Sequence, residues 1–238
     1  MNAFDRAVLA IAPGLALRRM QSRQAVQAMM NYDAATGGRR AASWRHSRAD
    51  ADAAAVRRDR LAAVARDMCR NTPYATRARD VIVRNVVGDG IIPALEGGTE
   101  RAKRRFVEFA KAYWDTAAID YYGRANLYGL QRLVVATVVE SGEALVRIHR
   151  RPDLKLQVLE PDWIDEGKDS ILRAEGKGGY IHKGIEYGSQ GERVAYWLHT
   201  EHPGTDKPSL RTKSERVSAA EIIHVFRQDR PGQMRGVS

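Results

Sequence analysis

The feature that most limits what this chain can fold into is a change of hydrophobic period at Gly142. Ahead of it, apolar residues recur at three- and four-residue intervals, which gathers them on one face of a helix. Beyond it they alternate, as on half-buried strands. A chain that switches period once, in that order, is expected to be α+β, with a helix-rich N-terminal half followed by a mainly antiparallel β region.

In the helical half, Asp50 or Asp52 is placed to cap a helix whose stripe is Leu61, Val64, Ala65 and Met68 and which ends near Asn71. Cys69 on it reads as a small core residue. Thr72 then precedes Pro73, an N-cap followed by proline at the first helical position. That second helix runs to about Val86, with Tyr74, Ala75, Ala78, Val81, Ile82 and Asn85 expected inside, and Gly88 and Gly90 ending it. Thr99 caps a third, with Phe106, Phe109, Ala110, Tyr113 and Trp114 as a core face. After a turn at 121–126, a fourth helix spans 127–141, apolar almost all round and so expected between neighbours, with Gly142 as its terminating residue.

Strands are expected at 143–149, 154–159, 180–187, 192–199 and 222–226. Their joints are Arg151-Pro152-Asp153, residues 176–179, Ser189-Gln190-Gly191 and the turn-like 218–221. After Phe226 hydrophobicity stops, and Arg227, Arg230 and Arg235 stand in a loop punctuated by Pro231-Gly232 and Gly236. Arginines so spaced can grip phosphate or carboxylates of a neighbouring subunit. Residues 1–49 read as a loosely ordered basic arm, with helical fragments at 4–17 and 22–30.

Charge divides the chain further. The formal net charge is +10, with 11 basic against 5 acidic side chains in residues 1–60, 14 against 10 in 61–150, and 14 against 14 beyond. The excess lies in the first 150 residues and suggests a polyanion or an acidic partner facing them, and Arg101, Lys103, Arg104 and Arg105 are candidate DNA or subunit contacts alongside Arg227, Arg230 and Arg235. Association with DNA is expected to be non-specific and salt-sensitive. The single cysteine excludes an internal disulfide, and no apolar run approaches the ~18 residues that span a bilayer.

Candidate chemistry is sparse. Glu160, Asp162, Asp165 and Glu166 form an acidic cluster able to hold a divalent metal as a nuclease does, or to serve as a solvated turn. His199 and His202 lack the second ligand pair of a zinc site, and His224 sits inside an apolar strand as a core or interface histidine. Gly88-Asp89-Gly90 is neither a dinucleotide fingerprint nor a phosphate loop. No catalytic residues, metal or cofactor are assigned. The alternative to a structural protein is a basic DNA-binding protein or metal-dependent nuclease-like enzyme.

Several phrases together resemble one family. They are Tyr32-Asp33-Ala34-Ala35, Arg39-Arg40 and Trp44, then Ala65-Arg66-Asp67 with Arg70-Asn71-x-Pro73. Asn85-Val86-Val87-Gly88-x-Gly90-Ile91-x-Pro93 and Ser141-Gly142-Glu143-Ala144-Leu145-Val146-Arg147 follow. Leu159-Glu160-x-Asp162 and Glu221-Ile222-x-His224-Val225-Phe226 lead to Arg230-Pro231-Gly232-Gln233-x-Arg235-Gly236-Val237. This series is similar to the lambda-like family of portal proteins of tailed bacteriophages. The resemblance implies a non-enzymatic subunit without cofactor, assembled in the bacterial cytoplasm into a twelve-copy ring at one capsid vertex of the virion. Double-stranded DNA passes through that ring, which docks terminase, capsid or scaffold and head-tail connector proteins and touches no membrane. It implies a wing-like region at 50–126, a stem-like helix and strand at 127–150 and a clip-like region at 151–238. The family pattern continues past the Arg-Gly-Val phrase where this chain stops, so a C-terminally truncated portal, poorly soluble or unable to close uniform rings alone, is the expectation.

Overall fold

The computed structural model describes residues 10, 12–30, 58–174, 177–204 and 213–238. Contacts divide the chain into two units, residues 1–48 and 49–238. The first holds α1 (Pro13–Met30), one helix running through the gap between the two expected fragments. The capping aspartates 50 and 52 and the phrases at 32–44 lie outside the described residues.

The second unit begins with α2 (Arg58–Asn71), α3 (Pro73–Val87), α4 (Glu100–Trp114) and α5 (Leu127–Ser141). Local chemistry sets their ends. The Thr99 hydroxyl accepts from the Ala102 N–H at 3.3 Å, and the Asn126 side chain accepts from the Gly129 N–H at 2.9 Å. Thr72 occupies the cap position of α3 but makes no side-chain capping bond, so Pro73 alone marks the start. Between α4 and α5 the buried Asp120 carboxylate accepts from the backbone N–H groups of Tyr122, Arg124 and Ala125 at 3.2, 2.8 and 3.1 Å, which folds the 121–126 turn around it. Gly142 closes α5 in the left-handed region at φ 83°.

The strands form two antiparallel sheets, as the period change implied. In the first, β1 (Glu143–His149) lies between β2 (Lys155–Leu159) and β8 (Ile222–Phe226), so that Leu145 faces Leu159 on one side and His224 on the other. In the second, β3 (Ser170–Ala174), β4 (Lys177–His182), β5 (Ile185–Tyr187), β6 (Arg193–His199) and β7 (Ser214–Ser218) follow one another in chain order. Leu145, Leu159 and Ile222 from the first sheet share one core with Ile185, Tyr187, Tyr196, Leu198 and Val217 from the second.

The expected 180–187 strand is two strands. Lys183 and Gly184 adopt φ 47° and 77°, the left-handed pair that a tight hairpin needs, and the apolar alternation resumes across it. Of the expected joint at 176–179, residues 177–179 instead belong to β4, where Gly178 and Gly179 pair with Arg173 and Leu172. Strands β3 and β7 carry too little apolar alternation to have been read from sequence.

The helical faces are also rotated from expectation. On α2 the buried residues are Arg58 and Ala62, while Leu61, Val64 and Met68 are about half exposed. On α3 Val87 is buried, whereas Tyr74 is 87% exposed and Val81 and Ile82 lie partly in solvent. On α4 Ala110 is buried and Phe109 stands 79% exposed. Helix α5 packs against α2, α3 and β1, with Leu130, Thr137 and Ser141 buried and Leu133 half exposed, so it is not enclosed all round. Because Tyr74 and Phe109 have little area left to lose, Tyr74→Ala and Phe109→Ala should each change stability by under about 0.5 kcal/mol in urea titrations. A loss near 2 kcal/mol would show that these rings are covered within the fold.

Candidate functional site

The chain passes from α5 to β1 through Glu140, Ser141, Gly142 and Glu143, and these four residues are held by α3, by α2 and, for the last two, by the C-terminal segment. Arg79 on α3 donates from Nη1 to Glu140 at 2.5 Å. Arg66 on α2 donates from Nε to the Ser141 hydroxyl at 3.0 Å and from Nη2 to Asp162, with Glu160 at 3.6 Å. Gly142 meets the backbone of 237–238 so closely that a Cβ on it would lie 2.4 Å from the Val237 carbonyl carbon. A Cβ on Gly236 would lie 2.1 Å from the Gly142 oxygen.

Glu143 is the centre of this junction and is wholly buried. Its carboxylate accepts from Arg235 Nε at 2.8 Å and Nη2 at 2.5 Å, from the Gly236 N–H at 2.9 Å and from His224 Nε2 at 2.9 Å. Behind them, Arg58 places Nη1 3.5 Å from Glu143 and donates from Nη2 to Glu166, which lies 3.4 Å from Arg235. Two carboxylates therefore face two guanidinium groups.

That balance decides the state of His224. A carboxylate only accepts, so Nε2 carries the ring proton and Nδ1 is left to take the Tyr196 hydroxyl at 3.3 Å. Burial lowers the imidazole pKa, and Arg235 and Arg193 push the same way against the bond to Glu143, so the ring is held neutral. For Glu143, burial alone would raise the carboxyl pKa, but the Arg235 charge and the bonds from His224 and Arg235 outweigh it and hold the group far below the usual carboxylate range. Burial acts to lower the Arg235 pKa, and Glu143 overcomes it. The Tyr196–His224–Glu143 chain has the connectivity of a catalytic relay, yet Tyr196 is 2% exposed and the His224 side chain 1%. Groups so enclosed orient one another and do not meet a substrate.

The Arg-Pro-Gly-Gln loop is folded by its own glutamine. Gln233 accepts from the Asp229 and Arg230 N–H groups at 2.7 and 3.3 Å and donates to the Arg235 carbonyl at 2.9 Å. Arg193 on β6 donates to the Met234 carbonyl at 2.8 Å, with its guanidinium 5.3 Å above the Phe226 ring of β8. The segment 229–237 is thus a strap, fastened to the three-stranded sheet by Glu143 and to the five-stranded sheet by Arg193.

A second set of phrases fastens α3 to α5. Arg132 donates to the Gly88 carbonyl at 2.8 Å, and the Gln131 amide clamps both the N–H and the carbonyl of Ile91 at 2.8 Å each. The Tyr128 ring fills the space where a Cβ on Gly90, at φ 124°, would stand 2.1 Å from Cδ1. Asn71 donates to Asp67 at 2.7 Å on the same helical hairpin, where Arg70 is exposed beside Pro73.

The structure divides the candidate cations. Arg101, Arg104 and Arg105 project from α4 into solvent, and Lys103 pairs with Glu100 at 2.9 Å. Arg227 is exposed and held by both Asp229 oxygens at 2.7 and 3.1 Å, and Arg230 is exposed at the loop tip. Arg235, grouped with them by sequence, is 4% exposed and spent on Glu143, so it offers no cation to a polyanion.

Glu160, Asp162 and His202 bring one ligand atom each within 4.8 Å of one another, yet their bonding is not that of a metal centre. Arg66 already occupies the Asp162 carboxylate. His202 Nδ1 accepts from the Gly204 N–H at 3.0 Å, so Nε2 holds the proton and gives it to Glu160 at 3.2 Å. A metal-bound imidazole instead donates from its second nitrogen.

In the sequence Arg58, Arg193 and Tyr196 carry no mark of a role, and Glu143 and Arg66 stand out only as members of the family-like phrases. The one available signal was a carboxylate opening the apolar run Ala144-Leu145-Val146, which demands a buried counter-charge.

Comparison with known proteins accounts for these phrases together. The sequence pattern of the phage portal proteins, lambda family, matches residues 37–238. The chain belongs to that family. A probable portal protein of Halomonas phage phiHAP-1 is 29% identical over 185 residues, covering 72% of this chain and 35% of its own length. The chain thus spans about a third of that relative. In this portal-family chain the polar residues of the matching phrases are largely engaged with one another inside the unit, Arg66 with Asp162, and Arg235, Gly236 and His224 with Glu143. No helix among the described residues is long and apolar enough to cross a membrane.

Proposed function

We propose that this chain is part of a structural portal subunit, assembling with copies of itself into the twelve-membered ring at one vertex of the virion capsid. Double-stranded DNA passes through that ring during packaging and ejection, and terminase, capsid or scaffold and head-tail connector proteins dock on it. The subunit performs no catalysis and needs no cofactor. Residues 50–126 supply the wing, 127–150 the stem-like part and 151–238 the clip-like part. The observation that carries this reading is the family match across most of the chain, and the internal use of its polar phrases supports a scaffold role.

DNA contact in this reading is electrostatic and rests on Arg101, Arg104 and Arg105 of α4. A channel that lets DNA slide gains from few neutralised phosphates, since each adds affinity and salt dependence. Electron micrographs of a full-length portal subunit that contains this chain should show rings. Uniform monomers would overturn the assignment. Neutralising Arg101, Arg104 and Arg105 together should reduce the slope of log affinity against log salt, by up to about 0.9 for each phosphate left without its cation. An unchanged slope would remove α4 from the DNA path.

A further inference from the structure

We propose that the 229–237 strap is an acid-sensitive latch: neutral His224 between Tyr196 and Glu143 keeps it fastened, and a proton on Nδ1 releases it while β1 and β8 stay paired. The inference is independent of ring formation and would hold for a single copy.

The groups facing His224 come from every element around it. Glu143 approaches from β1, Tyr196 and Arg193 from β6, Arg235 from the strap, and the Phe226 ring of β8 itself lies 4.9 Å away. Arg58 and Glu166 form the layer beyond. With imidazole neutral, Glu143 and Glu166 already face three guanidinium groups once Arg193 is counted with Arg58 and Arg235. A proton on Nδ1 adds a cation among arginines, in an interior where charges are weakly screened.

The strap is the element that can relieve this charge. Arg58 lies within a helix and Arg193 within a ladder, whereas Arg235 sits on a segment outside both sheets. Among the strap's fastenings are the Arg235 and Gly236 bonds to Glu143, the Arg235–Glu166 pair at 3.4 Å, the Met234 side chain against the core and the Arg193 bond to the Met234 carbonyl. When it lifts, Arg235 leaves, water reaches the ring, and Glu143 keeps the imidazolium as its counter-ion. One cationic partner is exchanged for another, and only the strap moves.

The direction follows from which state binds the proton. Closed, His224 has a lowered pKa. Open, with Arg235 gone and Glu143 kept as counter-ion, it titrates at or above its ordinary value of about 6.5. The open strap therefore binds more protons below that open-state pKa, so closure is fully favourable above it and weakens as pH falls, by up to about tenfold per pH unit for one proton.

Amide hydrogen exchange on the whole chain tests this. Protection of the Gly236 amide, corrected for intrinsic exchange, should fall by up to about tenfold per pH unit below about 6.5 while the β1 amides keep theirs. In His224→Gln, which still donates to Glu143 but takes no proton, Gly236 protection should be flat over that range. The proposal is overturned if protection at Gly236 in the unaltered chain does not change, or falls in step with β1. It is equally overturned if His224→Gln, or His224→Asn should the first not fold, shows the same decline.

Discussion

Replacing Arg235 with methionine should cost about 3–5 kcal/mol, because it strands a buried carboxylate. The loss would consume a large part of the about 5–15 kcal/mol that holds a domain folded. Glu143 would keep His224 and the Gly236 N–H, and Arg58 Nη1, 3.5 Å away and without a hydrogen-bond partner, is placed to compensate in part. The lower end of the range is therefore expected. Removing the stranded charge as well, in Glu143→Gln with Arg235→Met, should cost less than the sum of the two single changes, since Arg58 and Glu166 remain paired. Urea titration of the three variants gives the coupling. A single Arg235→Met chain within 1 kcal/mol of the parent would show that Glu143 is not dependent on it.

Gly236→Ala is expected to cost about 3 kcal/mol, at the upper end for overpacking, because its methyl would lie 2.1 Å from the Gly142 carbonyl oxygen and a backbone, not a flexible side-chain tip, must shift to admit it. Gly232 in the same strap provides the comparison. It sits at φ 80° with nothing within 4 Å of an added Cβ, so Gly232→Ala carries only the left-handed backbone penalty of about 1–2 kcal/mol. If melting and urea curves rank Gly232→Ala as the more damaging, close backbone approach is not what Gly236 provides.

The elements most legible in the sequence were those whose period and punctuation agreed. Helix Leu127–Ser141 ends at a glycine in the left-handed conformation, and strands Glu143–His149 and Ile222–Phe226 carry apolar runs bounded by turns. What period could not give was which face of α2 or α3 turns inward. Arg58, Arg66 and Arg79 look like solvated charges beside Leu61, Val64 and Tyr74, and they face inward because carboxylates far along the chain receive them. The hairpin at Lys183-Gly184 was hidden for a different reason. Its turn adds only two residues, so the alternation on either side joins into one apparent strand. The junction was legible as phrases and not as a site, since the partners of Glu143 become neighbours only when β1 and β8 pair.

The separation of those partners along the chain has a kinetic consequence. Arg58 and Glu166 are 108 residues apart, Arg66 and Asp162 are 96, Arg235 and Glu143 are 92, and His224 and Glu143 are 81. Closing such loops costs entropy that helices and hairpins avoid, so the ionic contacts are expected among the last steps on the folding route. Interactions absent from the transition state leave the folding rate nearly untouched and act on the unfolding rate. The junction therefore works as a brake on escape from the native state. How long the folded unit persists, more than how fast it forms, is what its buried arginines control.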